Sequence, residues 1–256
     1  MQTDYTQVTE VPGGKASAEQ VQRLYSRYHF AAPYCQDKDV LEVACGGGQG
    51  LGYLVQKAKW AVGGDYTQGL LLKAQEHFKS EIPFLRLDAH DLPFKNQSFD
   101  VVIFFEAIYY LSRPDKFLEE CLRVLREKST ILICTVNKDW SDFNPSPHSV
   151  RYFSASELYQ LLSPRFSNVE LYGGFLVAAN SLRDKIISLI KRVAVTFNLM
   201  PETMKGKELF KRIFFGKLIS LPREIEEGMS EYDCPQPVSF EFTRPYKVLY
   251  AVGRND

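Results

Sequence analysis

The stretch Val40-Leu41-Glu42-Val43-Ala44-Cys45-Gly46-Gly47-Gly48-Gln49-Gly50 decides the fold. Its apolar opening, Val40–Ala44, reads as a buried strand, and its glycines read as a turn into a helix over Leu51–Lys59. Glycine permits positive φ and carries no Cβ, so a ligand can approach the backbone of such a turn closely. The dinucleotide fingerprint GxGxxG uses this device, but here it is incomplete. Counted from Gly46 its sixth place is Leu51, and counted from Gly47 its third is Gln49.

Working outward, strand and helix patterns alternate. Trp60–Gly64 reads as a strand running into Asp65, and Gln68–Lys79 as a helix with Leu71, Leu72, Gln75 and Phe78 at helical spacing. Pro83–Leu87 and Val101–Phe105 are apolar enough for buried strands, Asp115–Arg126 is the next helix, and Thr130–Val136 the fifth strand. Ser154 with Glu157 forms a capping box opening a helix through Leu162, and Val169–Leu171 and Val248–Val252 are the last two strands. This βαβ alternation predicts an α/β, Rossmann-like sheet of seven mostly parallel strands with helices on both faces. The organisation expected is an N-terminal helical cap over 1–37 (amphipathic from Ala18 to Phe30), a core over 38–175, a helical insertion over 176–244 and a final core strand over 245–256.

Composition narrows the function. Among 256 residues, 31 Lys and Arg balance 31 Asp and Glu, which points to no nucleic-acid partner. Five scattered cysteines and four dispersed histidines give no metal-ligand spacing, so no metal site is expected. The polar start, Met1 to Val11, has no signal-like apolar core, and no apolar run approaches the ~20 residues that span a bilayer. A cytoplasmic location is the expectation.

The residues around the glycines resemble the first motif of the class I S-adenosylmethionine (SAM)-dependent methyltransferases, an acidic residue followed by alternating glycines. Glu42, Ala44, Gly46 and Gly48 stand at its four positions, with Ala44 replacing the usual glycine. By the same resemblance, Asp65 holds the ribose diol, Asp88 with Ala89 meets the adenine, and Tyr66 counts among the cofactor-binding residues. As residues alone, Asp65 also suits a helix N-cap and Asp88 a turn. Leu92-Pro93-Phe94 and Ser98-Phe99-Asp100-Val101-Val102 are similar to the family's run into its fourth strand. Phe105-Glu106-Ala107-Ile108-Tyr109-Tyr110-Leu111 follows, with tyrosines where relatives that methylate ubiquinone precursors carry a glutamate-histidine pair. The resemblance, nearest the ubiquinone/menaquinone methyltransferase-like group, covers about 38–175. It implies SAM as methyl donor, S-adenosylhomocysteine (SAH) as product and a small-molecule acceptor such as a glycan, lipid-linked or secondary-metabolite intermediate. A SAM-binding protein without turnover, and a nicotinamide-dependent oxidoreductase, are the alternatives.

The methyl of a sulfonium is already electrophilic, so such an enzyme chiefly aligns its reactants and excludes water. For a hydroxyl acceptor a base helps, and Glu106, Tyr109, Tyr110, Asp139, His148 and Tyr152 fall where strand ends and loops rim a site. Glu106, Tyr110 and His148 are taken as the catalytic set, Glu106 also counting among the cofactor-binding residues. Tyr109 and Tyr110 equally suit plain packing. Tyr25 and Tyr28 lie on the N-terminal helix, which the resemblance implies can fold over the cofactor but for which core packing is the preferred reading.

The insertion is locally basic: Arg183–Lys217 holds nine basic residues against three acidic ones, with apolar stripes at Ile186, Ile190, Val193 and Phe197 and at Leu209, Phe210, Ile213, Phe214 and Leu218. Two amphipathic helices are predicted. They would form a lid with a solvated basic face, an acceptor site for an anionic molecule, or a peripheral membrane contact for a lipid-linked one. The acidic run from Glu224 to Asp233 works against a uniformly basic surface.

Overall fold

The computed structural model describes residues 4–6, 8–141, 143–146, 148–177, 218–240 and 243–255. Helix α1 (Ala18–Cys35) opens with a reciprocal cap, Ser17 Oγ accepting from the Gln20 amide and Gln20 Oε1 accepting from the Ser17 amide. Strand β2 (Asp39–Val43) leads to α2 (Gln49–Val55), β3 (Trp60–Asp65) to α3 (Gln68–Phe78), and β4 (Phe84–Arg86) to β5 (Phe99–Phe105). A 3₁₀ turn (Ile108–Tyr110), α4 (Pro114–Val124), β6 (Leu125–Val136), α5 (Ala155–Leu162), β7 (Asn168–Leu176) and β10 (Tyr246–Asn255) follow. Three short strands complete the set: β1 (Lys15–Ala16), β8 (Ile219–Ser220) and β9 (Gln236–Pro237).

The main sheet has eight strands in the order β4-β3-β2-β5-β6-β10-β7-β9. Pairings from β4 to β6 are parallel, whereas β10 runs antiparallel to both β6 and β7. Side chains alternate between two cores as the pleat requires. Val40, Val101 and Ile103 face α1, α2 and α3, while Leu41, Val43, Val102 and Phe104 face α4 and α5. Order reverses at β2, with β3 on one side and β5 on the other, and a crevice opens past the carboxyl ends of these strands.

The seven-strand expectation is corrected by β9, a two-residue strand pairing Gln236 and Pro237 with Gly173 and Tyr172. A polar residue and a proline at a sheet edge carry no apolar alternation to read. Helix α4 stops at Val124 rather than Arg126, because Leu125 already pairs with Phe99, and Arg126 bridges Asp39 and Asp100 at 2.9 Å each. Helix α1 runs past Phe30 to Cys35, with Pro33 in its last turn.

The two amphipathic helices expected within Arg183–Lys217 lie outside the described residues. What is described of the return limb packs on the N-terminal half. Strand β8 pairs antiparallel with β1, Ile225 is buried, and Glu224 and Glu227 meet His77 and His29. Among the described residues, no helix is long and apolar enough to cross a membrane.

Candidate functional site

The glycine loop after β2 turns through three left-handed residues: Ala44 (φ 60°), Gly46 (φ 57°) and Gly48 (φ 75°). For alanine this costs roughly 1–2 kcal/mol, which glycine there would avoid. The loop is crowded from above: a Cβ on Gly46 would lie 3.2 Å from Thr9 Cγ2, and one on Gly47 2.9 Å from Pro12 Cδ. The N-terminal segment thus lies directly over the loop. Gly50 serves a neighbour, since a Cβ there would fall 1.9 Å from the Tyr28 ring. Tyr28 in turn donates its hydroxyl proton to Glu42 Oε1.

Asp65 closes β3 and ties its end to the loop. Its Oδ2 accepts from the Gly46 amide at 2.9 Å and its Oδ1 from the Thr67 amide at 2.8 Å. Burial raises its pKa above the usual carboxylate value, against the opposing pull of those amides. Thr67, not Asp65, is the N-cap residue of α3. Past β4, Asp88 accepts from the amide of His90 and lies 2.7 Å from its Nδ1. Burial raises the Asp88 pKa, but these His90 contacts outweigh it and leave the group below its ordinary value.

Glu106 follows β5 in a left-handed conformation (φ 51°), fixed by its amide bonding the Cys134 carbonyl at 2.8 Å. Tyr109 donates to Glu106 Oε2 at 3.2 Å. Burial raises the Glu106 pKa, Arg27 opposes, and Glu10 adds to the rise.

These strand ends surround one cavity of about 760 Å³. Ala44, Gly46, Asp65, Tyr66, Asp88, Ala89, Glu106, Tyr110 and His148 all line it, as does Tyr109. Two sequence-assigned cofactor residues do not. Glu42, 1% exposed, lies below the loop against Tyr28, and the left-handed turn at Gly48 packs on Phe84 and Phe78. Nor do Asp139 and Tyr152 reach it; Tyr152 stacks on Tyr109 at 4.5 Å and accepts from the Ser146 amide. Tyr25 points away, donating to Glu227.

Sequence reasoning missed the polar stripe of α1. Gln20, Arg23, Leu24 and Arg27 line the cavity at helical spacing, and Arg27 is paired with Glu10 of the overlying segment. Two arginines on the apolar side of an amphipathic helix were the available signal. Tyr5 from the same segment closes the mouth, its ring 5.0 Å from Tyr110 and 6.4 Å from both Tyr66 and His148.

A Methyltransferase domain model matches residues 41–133, the span from the glycine loop through β6. A phthiotriol/phenolphthiotriol dimycocerosates methyltransferase of Mycobacterium ulcerans is 32% identical over 199 residues, 75% of this chain and 69% of that protein. The chain belongs to the class I SAM-dependent methyltransferases. A fatty-acid O-methyltransferase of Mycolicibacterium smegmatis is 32% identical over 179 residues, 64% of this chain and 61% of its own. The chain spans 56–57% of the length of the first curated relatives it matches, probable S-adenosylmethionine-dependent methyltransferases of mycobacteria. Among solved structures, a SAM-dependent methyltransferase of Thermotoga maritima, titled a possible histamine N-methyltransferase, superposes with a TM-score of 0.60. At 15% identity over 93% of this chain and 92% of that one, it shows the same fold.

The site of this family member fits SAM. Gly46 of the left-handed loop and the buried carboxylate of Asp65 both line the cavity, and its volume falls in the ~300–1,000 Å³ range of small-molecule sites. Among the described residues, no cluster of three His, Cys, Asp or Glu side chains is arranged to hold a metal ion.

Proposed function

We propose that the protein transfers the methyl group of SAM to an oxygen of a small, lipid-like acceptor, with Glu106 as general base. The observation that carries this reading is Glu106 itself, a carboxylate in a costly backbone conformation facing the cavity, with burial raising its pKa. Strained residues persist only where the surrounding structure over-determines them and cluster at active sites, and a raised pKa makes a carboxylate a stronger base. When bound, SAM supplies an electrophilic methyl group. Asp65 would accept from the ribose hydroxyls, Asp88 and Ala89 would meet the adenine with Tyr66 beside them, and the loop from Ala44 to Gly46 would receive the amino-acid end. Tyr109 orients the Glu106 carboxylate. Tyr110 and His148, capped by Tyr5, exclude water at the rim; we give them this part rather than proton transfer.

A lipid-like acceptor is supported by the relatives named for a fatty acid and for phthiotriol dimycocerosates, and by the apolar wall of Leu24, Val136 and Val150. Selection of the acceptor we assign to 176–244. Incubation with methyl-tritiated SAM and a panel of long-chain acids, hydroxylated lipids, phenols and glycans tests the reading. Label should enter an oxygen-bearing lipid. Label transferred to none of them, by protein that binds SAH, would contradict turnover and favour a silent SAM-binding role.

A further inference from the structure

The geometry points to Arg27 as a carboxylate-binding group of the cavity, occupied from within the chain by Glu10, so that a ligand carboxylate and Glu10 compete for one guanidinium. This deepens the functional reading above and rests on it, because SAM carries a carboxylate on its amino-acid end and a fatty-acid acceptor carries one at its head.

Arg27 lines the cavity with its side chain only 9% exposed, and its Nη2 is bonded to Glu10 Oε2. Its Nε is buried and has no partner among the described residues. Nε and Nη2 form one edge of the guanidinium fork, the edge that grips both oxygens of a carboxylate at once. Glu10 therefore uses half of a bidentate site. A buried guanidinium without its counter-charge is costly, and besides Glu10 the carboxylate of Glu106 also acts on Arg27.

Arg23, one turn earlier, also lines the cavity with a buried Nε that has no partner among the described residues, but its side chain is more exposed than that of Arg27, 20% against 9%. The Arg23 Nη2 pairs with Glu19 at 2.6 Å, and its guanidinium lies 5.6 Å and 5.5 Å from the Trp140 and Phe175 ring centres. Glu10, by contrast, is 30% exposed on the segment that also lays Thr9 and Pro12 over the glycine loop. A ligand carboxylate that takes both nitrogens of Arg27 releases Glu10, while the segment stays tied to Leu221 through Gly13 and Gly14.

Calorimetry with SAH, 5′-methylthioadenosine and laurate, on the full chain and on Glu10→Gln, Arg27→Gln and Arg27→Lys, tests this. Methylthioadenosine keeps the nucleoside and thioether of SAH but lacks its carboxylate. Arg27→Gln should weaken SAH or laurate about tenfold or more while methylthioadenosine stays within about twofold. Loss for SAH marks the donor as the source of the carboxylate, and loss for laurate marks the acceptor. Arg27→Lys keeps charge and stem but not the fork, and should show a smaller loss of the same sign if the glutamine variant does not fold. Glu10→Gln should tighten the same ligand severalfold. Unchanged SAH and laurate affinities in folded Arg27 variants, or a weaker ligand in Glu10→Gln, would overturn the inference. A parent protein that binds no SAH would instead defeat the methyltransferase reading itself.

Discussion

Where we propose that the donor binds, Ala44, Gly46, Asp65, Tyr66, Asp88 and Ala89 all sit at or just past the carboxyl end of a strand. In the rest of the lining, which we propose faces the acceptor, Glu10 and Tyr5 come from the N-terminal segment and His148 from a loop beyond β6, while Arg27, from a helix, stands where a carboxylate of either ligand would meet it. Glu106, just past β5, and Val136, at the end of β6, reach the same side from the sheet. Parallel strands fix the donor groups by hydrogen-bonded register, so a few residues of sequence determine where each one lands. The acceptor groups depend on tertiary packing between distant segments. Such an arrangement keeps the donor site constant while leaving the acceptor site free to vary, as expected where one fold serves many substrates.

The largest effect that could break this division is at Glu106. Glu106→Gln should lower kcat about a hundred- to a thousandfold with SAH affinity nearly unchanged, the size expected for loss of a general base. In the parent, kcat/KM should rise with pH as Glu106 loses its proton, with an inflection above the ordinary carboxylate range, since burial raises its pKa. Equal losses in SAH affinity and kcat would return Glu106 to the donor side.

Next comes Glu42, which lies beneath both halves. Burial pushes its pKa from 4.5 up to about 7, against the opposing effects of Tyr28 and Arg27. The folded protein therefore holds a proton that the unfolded chain releases. Its contribution to stability is complete below 4.5 and is lost as pH rises through about 7. The loss is on the order of 3 kcal/mol by linkage. Glu42→Gln keeps an acceptor for Tyr28 and should flatten this decline in urea unfolding at about pH 5 and pH 8. An unaltered slope would remove Glu42 as its source.

Legibility followed the same line. The strand ends were readable because a buried apolar run that stops at glycine or aspartate has few other meanings, and Glu106 was reached by counting to the fourth strand. Glu42 and Gly48 stand at motif positions but do not line the cavity. Glu42 shares the α1 face with Val40, where Tyr28 takes it up, and Gly48 makes room for Phe84. Periodicity showed that α1 is amphipathic but not that its stripe of Gln20, Arg23 and Arg27 would face the strand ends, because that depends on how the helix packs. Strand β9 was illegible for want of any pattern in two edge residues.

Smaller effects sharpen the donor side. Asp88 is half exposed and already engaged by His90, so Asp88→Ala should weaken SAH only about three- to tenfold in calorimetry. Loss greater than that of Asp65→Ala would reverse their ranking. Excess EDTA should leave methyl transfer unchanged, given the lack of a metal-ligand cluster among the described residues. Inhibition relieved by magnesium would contradict this.

The central claim is that the loop after β2 and Asp65 form a SAM site fixed by the sheet, and titration of SAH into the parent and Asp65→Ala tests it most directly. The account predicts saturable binding to the parent. Asp65→Ala, shown to be folded by its urea transition, should bind about 5- to 150-fold more weakly, the roughly 1–3 kcal/mol lost when buried hydroxyls of a ligand have no acceptor. Equal SAH affinity in the two folded proteins would contradict it.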